Sequence, residues 1–192
     1  MIRHLFFGLL SSTLLIFGTS CEDDGELEDL SRSAREDRII RTHLEFDLDL
    51  VEGSSFDRTE DGIYYFNHTE GSGTAIADDN DSLRLKYTGW VLYGDLFDSS
   101  VLTDNPFEVV LDSADIAKGI PVLTVTSDTT STFKYNPVIQ GWQKALRLMK
   151  EGDSTRFFIP SELGYGNAGS GSLVPANAIL VFDIKVDELI KQ

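Results

Sequence analysis

The chain has 192 residues, 41% of them apolar, with 16 basic and 32 acidic side chains for a formal net charge of −16. Such a length suits one domain with additions, and such an apolar content is ordinary for a packed core, so disorder is not the expectation for the whole chain. A surface of this sign repels phosphate backbones, which excludes nucleic acid as a partner.

In chain order, the first element is a targeting segment. Arg3 supplies a small positive region, and Leu5 to Gly18 form an apolar run of 14 residues. That is long enough for a signal peptide and too short to span a bilayer. Gly18, Thr19 and Ser20 lead to Cys21, the one cysteine in the sequence. The word "GTSC" resembles the lipobox of a bacterial lipoprotein, with Gly18 where a larger aliphatic residue is usual. An exposed unpaired thiol is a liability in an oxidising compartment, and acylation consumes it. The resemblance implies that residues 1–20 are a lipoprotein signal and that Cys21 is the lipidated residue. The protein would then be held by lipid in the bacterial cell envelope, at the outer membrane. The following "CEDDGE" resembles the acidic export tag of some surface-exposed lipoproteins, but acidic linkers share that composition, so the side of the membrane stays open. The alternative is a soluble secreted protein with a free thiol.

Residues 21–59 read as an acidic linker. Positions 22 to 59 carry 5 basic and 13 acidic residues, as a solvated tether would, and "EDDGELEDLSRSAREDR" has no periodic apolar face. Ile39, Ile40, Leu44 and Leu48 fall near helical spacing and predict a short helix; Phe46, Leu48 and Leu50 also alternate as a strand would.

From residue 60 onward the pattern becomes that of a sheet. After "GIYYFNHTEGSG", the word "LRLKYTGWVL" alternates Leu83, Leu85 and Tyr87 with Arg84, Lys86 and Thr88, predicting a half-buried antiparallel strand. "NPFEVVL", "TRFFIP" and "AILVFDIKVDEL" add strands bounded by turn formers. One helix interrupts them, in "VIQGWQKALRLMKEGD", where Val138, Ile139, Trp142, Ala145, Leu146 and Met149 recur every three to four positions and Gly152 follows as a C-cap. Between Leu111 and Val138, "IPVLTV" and "TSTFKY" predict an inserted hairpin within residues 112–137, either projecting from the rim of a site or covering a sheet edge. The class is α+β: a curled antiparallel sheet wrapped around one short amphipathic helix.

Several chemistries fail on inspection. "GYGNAGSG", Gly164 to Gly171, spells G-x-G-x-x-G, but it joins two strands and opens no helix, so no dipole faces a pyrophosphate. His4, His43 and His68 stand apart, which leaves no zinc-type ligand set. Neither a metal nor an organic cofactor is expected. In so acidic a chain two neighbouring carboxylates carry no weight as a glycosidase pair. What remains is aromatic: Tyr87, Phe97, Phe107, Trp142, Tyr165 and Phe182 all fall on elements turned toward one side of the sheet. Taken singly, each reads as core.

Their flanking words say more. "YTGWVLYGDLFDSS", "NPFEVVL", "VIQGWQKAL", "GYGNAGSGSLVP" and "ILVFDIKVDEL", in this order, resemble the FKBP-type peptidyl-prolyl cis-trans isomerases over residues 60–192. The resemblance implies a five- or six-stranded sheet around a helix, with a pocket between them for a proline ring. Trp142 would be its floor; Tyr87, Phe97, Phe107 and Phe182 its walls; and Val138 and Ile139 a rim whose backbone N–H meets substrate. Tyr165 would donate its hydroxyl to a substrate carbonyl, Asp98 would sit beside the twisting amide, and Leu173 and Val174 would close the far side. The glycines would let a tight loop arch over the pocket and aim Tyr165 inward. The inserted stretch leaves a second option, in which "TFKY" replaces "PFEVVL" and Phe133 takes the place of Phe107. The implied function is non-covalent isomerisation of X–Pro bonds in envelope proteins, by a monomer acting on proline-containing polypeptides. The alternative is a low-turnover chaperone or peptide-binding module on the same fold; the intact aromatic set with Asp98 and Tyr165 favours the enzyme. A purely structural, adhesin-like domain would give Trp142 and Tyr165 no reason to coincide.

Overall fold

Two long strands form the spine of the sheet. In the computed structural model, which describes residues 30–101, 107–111, 122–124, 134–136 and 138–191, β3 (Ser82–Val91) runs antiparallel to β9 (Leu180–Ile190), from Ser82 opposite Ile190 to Val91 opposite Leu180. The apolar alternation in both strands suits a ladder with two covered faces. On one side β9 pairs with β8 (Ser154–Ile159), β8 with β2 (Tyr64–Thr69), and β2 with the short β1 (Asp57–Arg58). On the other side β3 is shared: β5 (Phe107–Val110) pairs with Ser82 to Leu85, and β4 (Leu96–Ser99) with Thr88 to Trp90. All seven strands are antiparallel. The sequence reading contained no strand for β4, whose four residues are too few to show a period.

One face carries the main core. Leu83 and Leu85 of β3, Phe157 and Ile159 of β8, and Leu180, Phe182, Ile184 and Val186 of β9 pack against Trp142, Ala145, Leu146 and Met149. These last four come from α2 (Gln140–Leu146) and the turn that follows it. The helix lies so close to the sheet that a Cβ added at Gly141 would come within 2.3 Å of Ile159 Cγ2, which explains a glycine in a helix interior despite its cost of about 1 kcal/mol. The helix is shorter than its periodicity predicts, ending at Leu146 with Arg147 as C-cap. Gly152 is therefore not the helix cap. It sits at φ +87° in a separate turn closed by the Asp153 N–H on the Lys150 carbonyl at 3.1 Å, a position where a side chain would be strained.

The opposite face is covered as well, by a segment that the sequence reads as tether. Ser31 caps α1 (Arg32–Thr42), its hydroxyl accepting from the Ala34 N–H at 3.3 Å, and the chain continues into a π turn, His43–Asp47. Ile40 and Leu44, both 0% exposed, pack with Phe56, Tyr64, Phe158, Ile179 and Val181. The compact unit accordingly begins at Ser31, and residues 31–59 belong to the body. Their role was obscured because α1 is charged on most of its surface, while Ile39 and Phe46 are exposed at 40% and 80% and blur the apolar stripe. Ion pairs fix the helix further: the Arg58 side chain meets Asp37 at 2.9 Å and Arg41 meets Glu52 at 2.6 Å. The Tyr64 hydroxyl donates to Asp37 at 2.8 Å. Burial, then that carboxylate, pushes its pKa up to about 12.

Within residues 112–137, β6 (Val122–Thr124) pairs antiparallel with β7 (Lys134–Asn136), as a two-stranded ribbon. Phe133, residues 1–20 and Cys21 lie outside the described residues. No described helix is long and apolar enough to cross a membrane.

The packing of α1 generates the first prediction. Ile40→Ala or Leu44→Ala should lower unfolding stability by about 2–4 kcal/mol in urea denaturation, the cost of a large-to-small change in a core. A loss below about 0.5 kcal/mol, the range of ordinary surface substitutions, would place the segment outside the folded body.

Candidate active site

At the open end of the main core lies a cleft of about 230 Å³ lined by Tyr87, Asp98, Phe107, Val138, Ile139, Trp142, Tyr165 and Phe182. They arrive from several elements, each for a local reason. Tyr87 and Phe182 occupy the alternate positions of β3 and β9 that carry the core side chains, and Phe107 opens β5 opposite Leu85. Trp142 projects from the first turn of α2, whose N-cap is Ile139, and Val138 precedes it.

The rings meet edge to face, as the positive edge and negative face of π systems favour. Trp142 lies 4.8 Å from Tyr87, 5.2 Å from Phe182 and 5.9 Å from Phe107, each near perpendicular. Tyr87 and Phe107 are 5.4 Å apart. Phe97 joins through Phe182 at 5.6 Å and Tyr165 at 6.4 Å. Trp142 is 3% exposed and forms the floor, and its indole Nε1–H is buried with no acceptor among the described residues.

The polar groups stand at the mouth. Asp98 carries the only formal charge among the lining residues. Its Oδ2 accepts the Tyr87 hydroxyl at 2.8 Å, so the carboxylate is held beside the apolar space. The backbone of Tyr87 is fixed in turn: its N–H donates to Ser100 Oγ at 2.9 Å, and its carbonyl accepts from the Ser100 N–H at 3.0 Å and Ser99 Oγ at 3.2 Å. Burial, and then the hydrogen bond to Asp98, holds the Tyr87 hydroxyl well above the usual tyrosine range. Burial and the Asp98 charge raise Tyr165 as well.

Tyr165 stands on the loop between β8 and β9, built from short 3₁₀ turns at Ser161–Leu163 and Gly166–Ala168. Gly166 and Gly169 have φ of +55° and +63°, the left-handed region that glycine enters without penalty. At Gly169 a Cβ would also lie 2.3 Å from the Val174 carbonyl oxygen. Among the described residues the loop joins β8 to β9 through these two 3₁₀ turns alone.

Of the residues singled out in the sequence, the structure brings Asp98, Tyr165, Phe97, Phe182, Tyr87, Phe107, Val138, Ile139 and Trp142 together at this one place. Phe107, on β5, lines the cleft, and Phe133, the other candidate for that place, lies outside the described residues. Leu173 and Val174 do not line the cleft. Ser170 and Val174 exchange backbone hydrogen bonds at 2.9 and 3.1 Å, and the tight loop so formed turns Val174 into the core at 4% exposure and leaves Leu173 outward at 54%. Gly89 was missed: a Cβ there would lie 2.6 Å from Phe182 Cε1 and 3.0 Å from Phe97 Cζ, so the two rings meet only because β3 has no side chain at that point. The visible signal was a glycine inside a strand word, "YTGWV", which marks a close approach.

With this geometry in view, the chain can be compared with known proteins. Residues 122–187 match the family model described as FKBP-type peptidyl-prolyl cis-trans isomerase. The chain is 36% identical over 128 residues to the FKBP-type peptidyl-prolyl cis-trans isomerase FkpA of Aeromonas hydrophila, covering 67% of this chain and 38% of that one. To the FKBP-type 22 kDa peptidyl-prolyl cis-trans isomerase of Escherichia coli it is 33% identical over 132 residues, 69% of this chain and 52% of the relative. It thus spans about two fifths to one half of the length of these relatives. Among solved structures, a peptidyl-prolyl cis-trans isomerase from Pseudomonas syringae superposes with a TM-score of 0.58 at 25% identity, covering 83% of this chain and 94% of that one.

A titration checks the electrostatics of the mouth. Because burial and the Asp98 carboxylate hold both hydroxyls above the ordinary tyrosine range, the unfolded chain should release these protons first. Their contribution to stability is therefore complete below about pH 10 and is lost as pH rises through the folded-state pKa. Phenolate absorbance should show Tyr87, assigned by the difference from Tyr87→Phe, ionising later than a free tyrosine, and unfolding free energy should fall less steeply above pH 10 in that variant. A Tyr87 that titrates at or below the ordinary value would contradict the buried, Asp98-bonded hydroxyl.

Proposed function

We propose that this chain, which belongs to the FKBP-type peptidyl-prolyl cis-trans isomerase family, is an active isomerase of X–Pro bonds in proteins of the bacterial cell envelope. The observation that carries the reading is the set of edge-to-face rings around a 230 Å³ cleft with the Asp98 carboxylate and the Tyr165 hydroxyl at its mouth. Such a cavity suits a proline ring with the peptide chain leaving on both sides.

Rotation about an X–Pro bond faces a barrier of about 18–20 kcal/mol because amide resonance is lost at the twisted geometry. Bringing a process of tens of seconds to milliseconds requires removing roughly 6 kcal/mol. A planar amide carries more charge separation than a twisted one. Rings that exclude water therefore disfavour the ground state relative to the transition state. Tyr165 would hold a substrate carbonyl, and Asp98, already oriented by Tyr87, would face the amide as it turns. No covalent step is needed.

Anchoring belongs to the same proposal. Cleavage before Cys21 and acylation of its thiol would tether a monomeric domain at the outer membrane, where newly exported chains fold. The lipobox-like "GTSC" and the apolar run before it support this.

Two measurements test the reading. In a protease-coupled assay with a proline tetrapeptide, Phe182→Ala should lower kcat/KM by more than about tenfold while the fold survives, and Asp98→Asn should cost less, since it removes charge and keeps shape. Wild-type protein with no catalysis above background would overturn the assignment in favour of a binding module. Separately, Cys21→Ser should abolish acyl labelling and release the protein from the membrane fraction; unchanged retention would defeat the lipid anchor.

A further inference from the structure

Glu36 is an ionisable side chain buried at 5% exposure on a helix otherwise turned to solvent by its charges. Both of its oxygens are used by one residue: Oε2 accepts the backbone N–H of Ser161 at 2.8 Å, and Oε1 accepts the Ser161 hydroxyl at 2.5 Å. Ser161 is itself 0% exposed and opens the 3₁₀ turn that leads to Tyr165. One helical turn before Glu36, Arg32 Nη1 donates to Asn167 Oδ1 at 2.6 Å. Arg32 and Glu36 are four residues apart and share a helix face, while Ser161 and Asn167 stand on either side of Tyr165. The loop that carries the tyrosine is thus fastened to α1 both before and after it. Internal bonds complete the clamp: the Gly164 N–H donates to the Ser161 carbonyl at 3.0 Å, and the Asn177 N–H to the Gly166 carbonyl at 2.8 Å.

Burying a carboxylate costs several kcal/mol unless its acceptor sites are filled. Packing alone gives no reason to place one here, since an apolar side chain would fill the space without that cost. A carboxylate taking two bonds from one residue instead fixes where that residue sits. The loop it fixes has left-handed glycines at Gly166, Gly169 and Gly171, which leave many conformations open to it when nothing holds it.

We propose that Glu36 is a positioning residue for the isomerisation, holding the Ser161–Asn167 loop with the help of Arg32 so that the Tyr165 hydroxyl meets the substrate carbonyl, and that α1 is thereby part of the catalytic unit. The inference rests on the isomerase reading above for its kinetic consequence, but not for its structural one.

The test is a double-mutant cycle in the full chain. Against a proline tetrapeptide, Glu36→Ala should lower kcat/KM about fivefold, the scale of one net hydrogen bond, and by no more than Tyr165→Phe does. In the Tyr165→Phe background, Glu36→Ala should then cost nothing further. Equal losses in both backgrounds, or no loss in either, would overturn the proposal, because a merely structural role acts whether or not the hydroxyl is present. Fluorotyrosine NMR supplies a readout that needs no turnover: the Tyr165 resonance, assigned by its disappearance in Tyr165→Phe, should shift or broaden in Glu36→Ala and stay in place in Ile40→Ala, which weakens the helix packing but keeps the clamp. An unmoved resonance in Glu36→Ala would overturn the proposal. If the wild type proves inactive, the isomerase reading falls while the resonance still decides the clamp. Should Glu36→Ala fail to fold, Ser161→Ala and Arg32→Ala each remove one fastening, and the same pattern of loss, absent in the Tyr165→Phe background, is expected at smaller size.

Discussion

The ladder between β3 and β9 is the constraint on which the rest depends. Ten residues of one strand face eleven of the other, and because side chains alternate across a strand, that one register decides the membership of both cores. Leu83, Leu85 and Tyr87 with Phe182, Ile184 and Val186 go to the α2 side, and Trp90 with Val181 goes to the α1 side. A slip of one residue would turn one strand's set to the other face and dissolve the cleft, since Tyr87 and Phe182 would no longer share a side. The irregularity between Arg84 and Leu85 in this ladder, and the one between Gly89 and Trp90 against β4, bend the sheet without breaking that assignment.

Much of this was legible because the relevant signals are local. The period-2 pattern of Leu83, Leu85 and Tyr87, and the period near 3.6 around Trp142, each reflect burial of one face and need no knowledge of partners. The wall residues Phe97, Phe107 and Phe182 became recognisable through their flanking words, which carry backbone requirements such as the glycines before and after Tyr165. What escaped notice was set by distant contacts. Leu173 and Val174 sit in a loop whose direction depends on the Ser170–Val174 hydrogen bonds, and nothing in "SLVP" says which of the two side chains turns inward. The length of α2 was overestimated because Met149 packs into the core from a turn, at a spacing that mimics another helical step.

The acidic N-terminal segment shows the same limit from the other direction. Its composition matches a solvated tether, and although the spacing of Ile39, Ile40, Leu44 and Leu48 pointed to a short helix, the sequence did not display the surface that receives it. Ile40 of α1 and Leu44 of the turn after it meet an apolar surface that includes Phe158, Ile179 and Val181, so the segment needs little hydrophobicity of its own. Charged residues then gain roles from position: Asp37 is shared by Arg58 and Tyr64, and Glu36 by the two donors of Ser161. None of these pairings is close in sequence, and Glu36 and Ser161 are 125 residues apart.

The energetics of the proposed isomerisation bear directly on this architecture. A net hydrogen bond contributes about 1 kcal/mol, and about twice that when one partner is charged, so in the proposed isomerisation Tyr165 and Asp98 together would fall short of the roughly 6 kcal/mol required. The remainder would then come from the environment that the rings create, and an environment acts only if it does not relax around the planar ground state. Edge-to-face packing of Trp142 with Tyr87, Phe107 and Phe182 resists such relaxation, because moving one ring disturbs its contacts with the others. Those rings are seated on β3, β5, β9 and α2, all of which meet in the main core. Under the proposed function, rigidity of the sheet, covered on both faces, would therefore be what lets this aromatic cleft favour the twisted amide.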